Sequence, residues 1–188
     1  MKTAIWCRHK GDNVIGIGPK IPWHVKSDFK RFKRITEGST ILAGEITYES
    51  FPNKTLPNRK IIVLSFNEKY EVSDKENHRV LTDAKQIINT AEDIYIAGGA
   101  SIYKLFMQDQ NIMPDVIIDS EYQKDLDTSF EGKKVDISPC IDVMKSKYTK
   151  ISKDYLLDDV ITSVWIKDER LKNKPLIANI ISEIEKDY

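Results

Sequence analysis

One aspartate, Asp28, has the surroundings of a carboxylate that takes part in chemistry. Residues 25–36 repeat apolar side chains at helical spacing, and Asp28 lies three residues after Val25 and four before Phe32. It therefore lies on or beside the apolar face of a predicted helix, where a carboxylate is costly unless a partner satisfies it. It could accept two hydrogen bonds from a ring N–H and an exocyclic amine of a heterocycle. The structural alternative is an aspartate that caps the first helical turn, which leaves its apolar neighbours unexplained.

Two glycine-containing turns could bring the backbone close to a ligand. The segment 14–23 (VIGIGPKIPW) holds two glycines and two prolines, which suits either a lid over a site or a plain connection to the helix. Gly98 and Gly99 follow a predicted strand and precede a predicted helix, whose first N–H groups could bind a pyrophosphate. Taken alone, such a pair of glycines is more often structural.

Arg59 is the third candidate. It follows the turn-prone pair 57–58 (PN) and precedes an apolar run, so it could hold a carboxylate through two parallel hydrogen bonds. A solvated basic residue at the start of a strand is the alternative. The three histidines (His9, His24 and His78) are scattered along the sequence, and no metal site is expected.

Short apolar runs alternate with helical patterns around these candidates. The runs are near-continuous, which is typical of strands that are covered on both faces. Together with the helices they predict an α/β fold with a mostly parallel sheet. Strands are predicted at residues 3–7, 40–43, 60–65, 93–97 and 115–119, and helices at 25–36, 83–90 and 101–107.

The last third of the chain has a different pattern. Residues 148–152 and 160–166 are predicted to form an antiparallel hairpin that closes the sheet, with the turn-prone segment 157–159 before the second strand. A charged linker, 168–174, then leads to a predicted amphipathic helix. Its apolar stripe, which packs either on its own domain or on another subunit, consists of Ile177, Ile180, Ile181 and Ile184.

Composition narrows the class of protein. The 188 residues fit one domain, and 29 basic residues balance 29 acidic ones, so neither nucleic acid nor a membrane surface is an expected partner. Two cysteines without a CxxC pair favour a reducing compartment. With no signal peptide and no apolar stretch of about 18 residues, a cytoplasmic location is expected.

The motifs, in this order, resemble dihydrofolate reductase over about residues 1–167. The ordered set carries the resemblance, since each motif alone is common. It implies an α/β domain over 1–167 with a mostly parallel eight-stranded sheet, flanking helices and a C-terminal antiparallel strand. A charged linker and amphipathic helix follow over 168–188. The motifs are 4–6 (AIW), 14–16 (VIG), 21–23 (IPW) with Asp28, Phe29 and Phe32, 47–52 (TYESFP), 56–60 (LPNRK), 96–103 (IAGGASIY) and 127–130 (DTSF).

The resemblance also implies a role for each candidate residue. Asp28 would grip the pteridine edge of dihydrofolate and help protonate N5, while hydride passes from the nicotinamide to C6. Trp23 would support the lid and an ordered water, and Arg59 would hold the glutamate tail. The remaining substrate-binding residues would be Ile5, Cys7, Phe29, Phe32, Phe51, Leu56, Ala97 and Tyr103. The cofactor-binding residues would be Ile15, Gly16, Gly44, Glu45, Thr47, Ser65, Gly98, Gly99, Ala100, Ser101 and Ile102.

The sequence departs from the family pattern in two places. The family usually has basic or polar residues where this chain has Glu45, Ile46 and Phe66, and these commonly hold the 2′-phosphate of NADPH. The resemblance therefore implies NADPH with NADH as the alternative, unless another basic residue such as Lys60 or Lys69 binds the phosphate. Secondly, counting back from residues 127–128 places Ile118 where the family has a threonine that hydrogen-bonds the catalytic acid, so either the loop length differs or Asp28 lacks this partner.

Other functions remain open at this stage. The expected activity is reduction of 7,8-dihydrofolate to tetrahydrofolate, with antifolates as inhibitors and a monomer or homodimer as the assembly. A non-catalytic folate- or dinucleotide-binding module of the same fold is one alternative. A pyrimidine reductase of the riboflavin pathway is another, although it should lack the set formed by residues 21–23 and Asp28.

Overall fold

The structure, a computed structural model, describes residues 1–127 and 129–187. Thr128, which belongs to the 127–130 motif, and Tyr188 lie outside the described residues. The strands are β1 (Lys2–His9), β2 (Val14–Ile17), β3 (Thr40–Gly44), β4 (Lys60–Leu64), β5 (His78–Leu81), β6 (Ile94–Ile96), β7 (Val116–Tyr122), β8 (Lys134–Asp136), β9 (Thr149–Lys150), β10 (Tyr155–Leu157) and β11 (Val160–Ile166). The helices are α1 (Lys26–Thr36), α2 (Glu45–Ser50), α3 (Ala100–Gln108), α4 (Ser138–Lys147) and α5 (Pro175–Glu185), and short 3₁₀ turns cover Pro52–Lys54, Ala84–Ile87 and Glu169–Leu171.

The main sheet has the order β10-β11-β7-β1-β6-β3-β4-β5. The strands from β7 to β5 along this order are mutually parallel, whereas β11 runs antiparallel to β7 and β10 antiparallel to β11. The predicted mostly parallel eight-stranded sheet with an antiparallel C-terminal strand is therefore confirmed. The short strand β9 adds to β11, and β2 and β8 form a separate two-stranded ribbon.

The central strands are apolar along their whole length because helices cover both faces of the sheet. Every residue of β3 is buried, as are the last four residues of β4. One core lies between the sheet and the helices α3 and α4, with Phe106 and Met144 at its centre. A second core lies on the opposite face, where Ile35 of α1 packs with residues of α5.

Helix α5 is an integral part of this second core. Ile177, Ile180 and Ile184 are each no more than 1% exposed and pack in the same cluster as Ile35 and Val164. Of the two alternatives for the apolar stripe, packing on its own domain is the one observed. Within the described residues, no helix is long and apolar enough to cross a membrane.

The predicted C-terminal hairpin was wrong in its first strand. The partner that turns directly into β11 is β10, with Leu157 opposite Val160, and not the segment 148–152. Asp158 and Asp159 both have positive φ, at 46° and 65°, which is the requirement of a two-residue hairpin turn whose twist matches its strands. Residues 149–150 instead form β9, which pairs farther along the same strand.

The helix predicted over 83–90 is also shorter than expected. It is a single 3₁₀ turn, Ala84–Ile87, which Asp83 caps by accepting a hydrogen bond from the Lys85 amide at 2.8 Å. The helices at 25–36 and 101–107 are present as α1 and α3 with small shifts at their ends.

Candidate active site

A cleft of about 1510 Å³ opens beyond the carboxyl ends of β3, β4 and β6. Ligands of open α/β sheets bind at this edge. Pockets for a single small ligand commonly measure roughly 300–1,000 Å³, so the cleft is large enough for two. All of the residues proposed above as catalytic, substrate-binding or cofactor-binding line it, with the exception of Ser65.

Ser65 lies behind the wall of the cleft. It is buried, and its hydroxyl donates a hydrogen bond of 2.5 Å to Oε1 of Glu45. It also accepts from the amide of Asn67 at 3.0 Å. Ser65 thus orients Glu45, which lines the cleft itself.

Asp28 is a half-buried carboxylate that lines the cleft. Burial raises its pKa from 3.8 to about 6, and the nearby Arg31 guanidinium together with a hydrogen bond from Ser120 partly offsets this rise. The thiol of Cys7 on β1 has a pKa far above its ordinary value, because of burial and then because of Asp28. A carboxyl with a pKa near 6 can exchange a proton with a ligand at neutral pH.

The structure gives Asp28 a hydrogen-bond partner on β7, at a position other than Ile118. Ser120 lies opposite Cys7 in the β1–β7 register, whereas Ile118 lies opposite Ile5. Residues two apart on a strand face the same side, so both line the cleft, but the hydroxyl beside Asp28 belongs to Ser120. A hydroxyl partner is therefore present two residues beyond Ile118, which agrees with a different loop length and not with a missing partner.

Trp23 is fixed on the far side of Asp28. Its ring stacks on Tyr122 with centroids 5.0 Å apart and an interplanar angle of 15°, and it hydrogen-bonds the Cys7 thiol. Nearby, Ile21 is 50% exposed and Phe29 45% exposed, and both face the cleft. These apolar side chains form a lip that a bound ring system would cover.

Close backbone packing shapes the opposite wall. The Gly44 amide donates to the Gly98 carbonyl at 2.7 Å, and a Cβ on Gly44 would lie 2.9 Å from Cγ1 of Ile102. Gly98 has a φ of 113°, and a Cβ there would meet the ring of Tyr103 at 3.2–3.3 Å. The Tyr103 hydroxyl in turn donates to the Ile5 carbonyl at 2.6 Å, which ties α3 to β1.

The first turn of α3 offers backbone donors to the cleft. At Gly99, the N-cap residue, no side-chain hydrogen bond caps the N-terminus of α3. The first three residues of the helix, Ala100, Ser101 and Ile102, line the cleft. The first amides of a helix lack partners within it and favour anions. This wall therefore fits the pyrophosphate of a dinucleotide.

Arg59 lies at the outer end of the cleft beyond Leu56 and Phe32. Its Nε donates to the Pro57 carbonyl and its Nη1 to Thr36 Oγ1, each at 3.1 Å, and its guanidinium lies 5.9 Å from the Phe32 ring centre. Burial lowers its pKa, and the charge of Glu37 partly offsets this. In the part of the chain that the structure describes, no carboxylate forms an ion pair with it.

The end of the cleft formed by Glu45 and its neighbours carries this acid and two exposed apolar residues. Ile46 is 73% exposed and Phe66 72% exposed, and both line the cleft beside Glu45. Lys60 begins β4, five residues before Ser65, which is roughly 16 Å along a strand. Lys60 is therefore too far away to bind a phosphate at this end of the cleft. Of the two lysines considered above, only Lys69 remains a candidate for that contact.

Comparison with known proteins agrees with this geometry. The sequence model of the family described as dihydrofolate reductase matches residues 1–153. The chain belongs to the dihydrofolate reductase family. The dihydrofolate reductase of Enterococcus faecium is 30% identical over 129 residues, which covers 66% of this chain and 75% of that one. That of Ureaplasma parvum is 29% identical over 128 residues, covering 67% and 80%.

A solved structure of this family has the same fold. The dihydrofolate reductase from Enterococcus faecalis, complexed with NADP(H) and RAB-propyl, superposes with a TM-score of 0.70 at 25% identity. The match covers 90% of this chain and 97% of that one. The family model ends within the segment that precedes β10, so α5 lies outside it.

Three residues of the site were missed from the sequence. Arg31 was overlooked although it is one helical turn from Asp28, a spacing that the sequence displays. Ser120 and Tyr122 depend on the register between β1 and β7, for which the sequence holds no local signal.

Proposed function

We infer that this protein reduces 7,8-dihydrofolate to tetrahydrofolate with hydride from a nicotinamide dinucleotide, and we propose that Asp28 is its acid. The observation that carries the proposal is a carboxyl with a pKa of about 6 at the floor of a two-ligand cleft. The same cleft is lined by the apolar lip, by an arginine without a carboxylate partner among the described residues, and by the N-terminus of α3. This is the combination that a folate and a dinucleotide require.

Asp28 has two tasks in this proposal. When ionised, its carboxylate accepts two hydrogen bonds from the ring N–H and the exocyclic amine of the pteridine, which fixes the orientation of that ring. When protonated, it promotes the transfer of a proton to N5, which the substrate needs when C6 accepts hydride. Trp23 and Phe29 keep water away from the reacting edge, and Ser120 holds the carboxylate in place.

Arg59 is proposed to bind the glutamate tail of the substrate. Two of its nitrogens are held by Pro57 and Thr36, so the direction of the guanidinium is fixed. Because it lacks a carboxylate partner in the described residues, a ligand carboxylate would gain a charge-assisted hydrogen bond without displacing a protein acid.

The dinucleotide is proposed to bind along Gly44, Gly98 and the first turn of α3. When bound, the reduced nicotinamide supplies the hydride. The chain's own contribution is to bring the backbone close at Gly44 and Gly98 and to present the amides of α3 to the pyrophosphate. Hydride transfer needs the two rings close together with water excluded, and both walls serve that end.

We further propose that the cleft discriminates only weakly in favour of NADPH and accepts NADH. Glu45 is oriented by Ser65 at the cofactor end, where it would repel a 2′-phosphate but could accept a hydrogen bond from a ribose hydroxyl. Ile46 and Phe66 offer apolar surface and no cation. Lys69 is the competing source of a phosphate contact.

We also propose a monomer in the cytoplasm as the working form. The apolar stripe of α5 is buried within its own domain, so it is not available as a dimer interface. Cys7 and Cys140 are both free thiols, as in a reducing compartment.

The first experiment follows the loss of nicotinamide absorbance on mixing protein, dihydrofolate and either cofactor. Turnover is expected, and Asp28→Asn should reduce it by roughly 10²–10⁴-fold, the usual contribution of a general acid. Absence of turnover in a protein that still binds folate would replace the reductase with the non-catalytic binding module.

The cofactor proposal is tested by the ratio of kcat/KM for NADPH to that for NADH. A ratio near one is expected, and Glu45→Arg should raise it. Lys69→Gln is the matched variant, and it should leave the ratio unchanged. A strong NADPH preference that Lys69→Gln removes would show that this lysine binds the phosphate, and the proposal for NADH would then be wrong.

A further inference from the structure

Arg31 is a buried cation one helical turn from Asp28. It is only 2% exposed and borders the cleft. A buried guanidinium is costly without partners, and the partners of this one come from two distant parts of the chain. Its Nη1 donates to Thr162 Oγ1 on β11, and its Nε donates to Oδ2 of Asp187 at 3.3 Å, just beyond the end of α5.

The hydroxyl groups between Arg31 and Asp28 form a chain with a definite direction. A guanidinium can only donate, so the Thr162 oxygen must accept from it. Thr162 Oγ1 lies 3.0 Å from Ser120 Oγ, and Ser120 hydrogen-bonds Asp28. An ionised carboxylate only accepts, so Ser120 donates to it and Thr162 donates to Ser120. Each donor therefore points toward Asp28. The hydrogen bonds of such a chain polarise and strengthen one another.

Asp187 binds the other side of the same guanidinium. It also accepts a hydrogen bond from Nη2 of Arg34 at 2.7 Å, and Arg34 is paired in addition with Glu183 of α5. The docking of α5 through its isoleucines thus holds Asp187 against α1. Arg31 thus interacts with two carboxylates, Asp187 just after α5 and Asp28 in the cleft.

We propose that Arg31 is a positioning residue for Asp28, and that Asp187 sets how much of the Arg31 charge reaches Asp28. The inference rests on the proposed role of Asp28 in catalysis. Without Arg31, the ionised form of Asp28 loses a nearby cation, and Thr162 loses the group that donates to it. Both losses destabilise the ionised form. Without Asp187, the same cation has lost its nearest anion and acts more strongly on Asp28.

The other groups that face Asp28 or line the cleft beside it do not interact with both Asp28 and Asp187, as Arg31 does. From β1, Cys7 faces it as a thiol whose pKa is raised far above the ordinary value. From β7, Ser120 and Tyr122 face the cleft, and from the preceding loop His24 lines it, with its ring 5.2 Å from that of Phe29.

The test measures the titration of the Asp28 carboxyl carbon by NMR in the ligand-free protein, with Asp28→Asn to assign the signal. Arg31→Met should move the midpoint up by about 1 pH unit, the lower end of the range for an adjacent opposite charge. Asp187→Asn should move it down. Arg31→Lys keeps the cation and should restore most of the wild-type midpoint, which a purely packing role would not predict.

Arg34→Met is the matched control, because Arg34 binds the same Asp187 without acting on Asp28. It should weaken the docking of α5 without the upward shift. His24→Gln, which removes the imidazole that lines the cleft, should also leave the midpoint in place. An unchanged midpoint in Arg31→Met, or an upward or absent shift in Asp187→Asn, overturns the proposal. If Arg31→Met fails to fold, Asp187→Asn alone decides the proposal.

A second readout separates this inference from the proposed function. The single-turnover rate of hydride transfer should follow the same midpoint, so that Arg31→Met is roughly tenfold faster than wild type at pH values well above it. If the NMR midpoint moves and the rate profile does not, Arg31 controls the ionisation of Asp28 but Asp28 is not the acid. If neither moves, the positioning role is wrong whatever the role of Asp28.

Discussion

Replacing Asp28 by asparagine should stabilise the protein while it removes activity, and the gain should depend on pH. The folded protein holds this carboxyl at a pKa of about 6 against an ordinary value of 3.8. One pKa unit corresponds to about 1.36 kcal/mol. The shift of about 2.2 units therefore corresponds to a cost on the order of 3 kcal/mol for keeping Asp28 ionised in the cleft. Asparagine carries no such cost.

The sign follows from which state binds the proton more tightly. Below pH 3.8 Asp28 is protonated in both the folded and the unfolded protein, so the cost is absent. As the pH rises from 3.8 to 6, the unfolded chain releases its proton first and folding loses free energy. Above pH 6 the whole cost is present. The stability difference between Asp28→Asn and wild type should therefore grow over that window and then stay constant.

The assay is urea unfolding of both proteins at a series of pH values on either side of the window, with the slope of each transition checked for constancy. Groups that titrate identically in the two proteins cancel in the difference. Asp127→Asn is a suitable control, because its pKa is lowered by hydrogen bonds from Ser129. Its contribution therefore has the opposite sign to that of Asp28.

The reasoning would be refuted by a stability difference that is independent of pH, or by an Asp28→Asn protein that is less stable than wild type above pH 6. Either result would mean that protein groups compensate the buried charge and that Asp28 stabilises the first turn of α1. The loss of turnover would then need another explanation.

Three further changes probe separate parts of the cleft and core. Gly44→Ala should raise the KM for the cofactor and lower the free energy of unfolding by about 1–3 kcal/mol, because its Cβ would lie 2.9 Å from Ile102; unchanged values would contradict the close approach. Arg59→Gln should raise the KM for dihydrofolate by about 10–100-fold with little change in kcat, and a pterin without a glutamate tail should show no such effect. Ile180→Ala should cost about 2–5 kcal/mol in urea unfolding, since the side chain is 0% exposed, and a much smaller loss would mean that α5 is not part of the core.

The parts of the site that the sequence predicts well are those contained in a few consecutive residues. Gly98 and Gly99 lie between a strand and a helix in both the sequence pattern and the fold. Asp28 could be placed because helical spacing relates it to Val25 and Phe32 within two turns. In both cases the geometry depends on local backbone conformation.

The errors have a common origin in pairing between distant segments. Counting along the chain could not decide whether Asp28 has a hydroxyl partner, whereas the register of β7 on β1 sets Ser120 beside it. The hairpin strand Tyr155–Leu157 was missed because three residues are too few for a recognisable pattern. Such a short strand is stable only through its pairing with β11.

The sequence by itself determined the fold class, the family and the candidate for the acid, because apolar periodicity and short motifs depend on neighbours along the chain. Only the tertiary structure decided which hydroxyl serves Asp28, that Ser65 acts through Glu45, and that Asp187 meets Arg31. These contacts join residues 20 to 156 positions apart. Strand register and the burial of α5 fix these contacts. Local sequence does not determine either feature, because both depend on the free energy of the whole core.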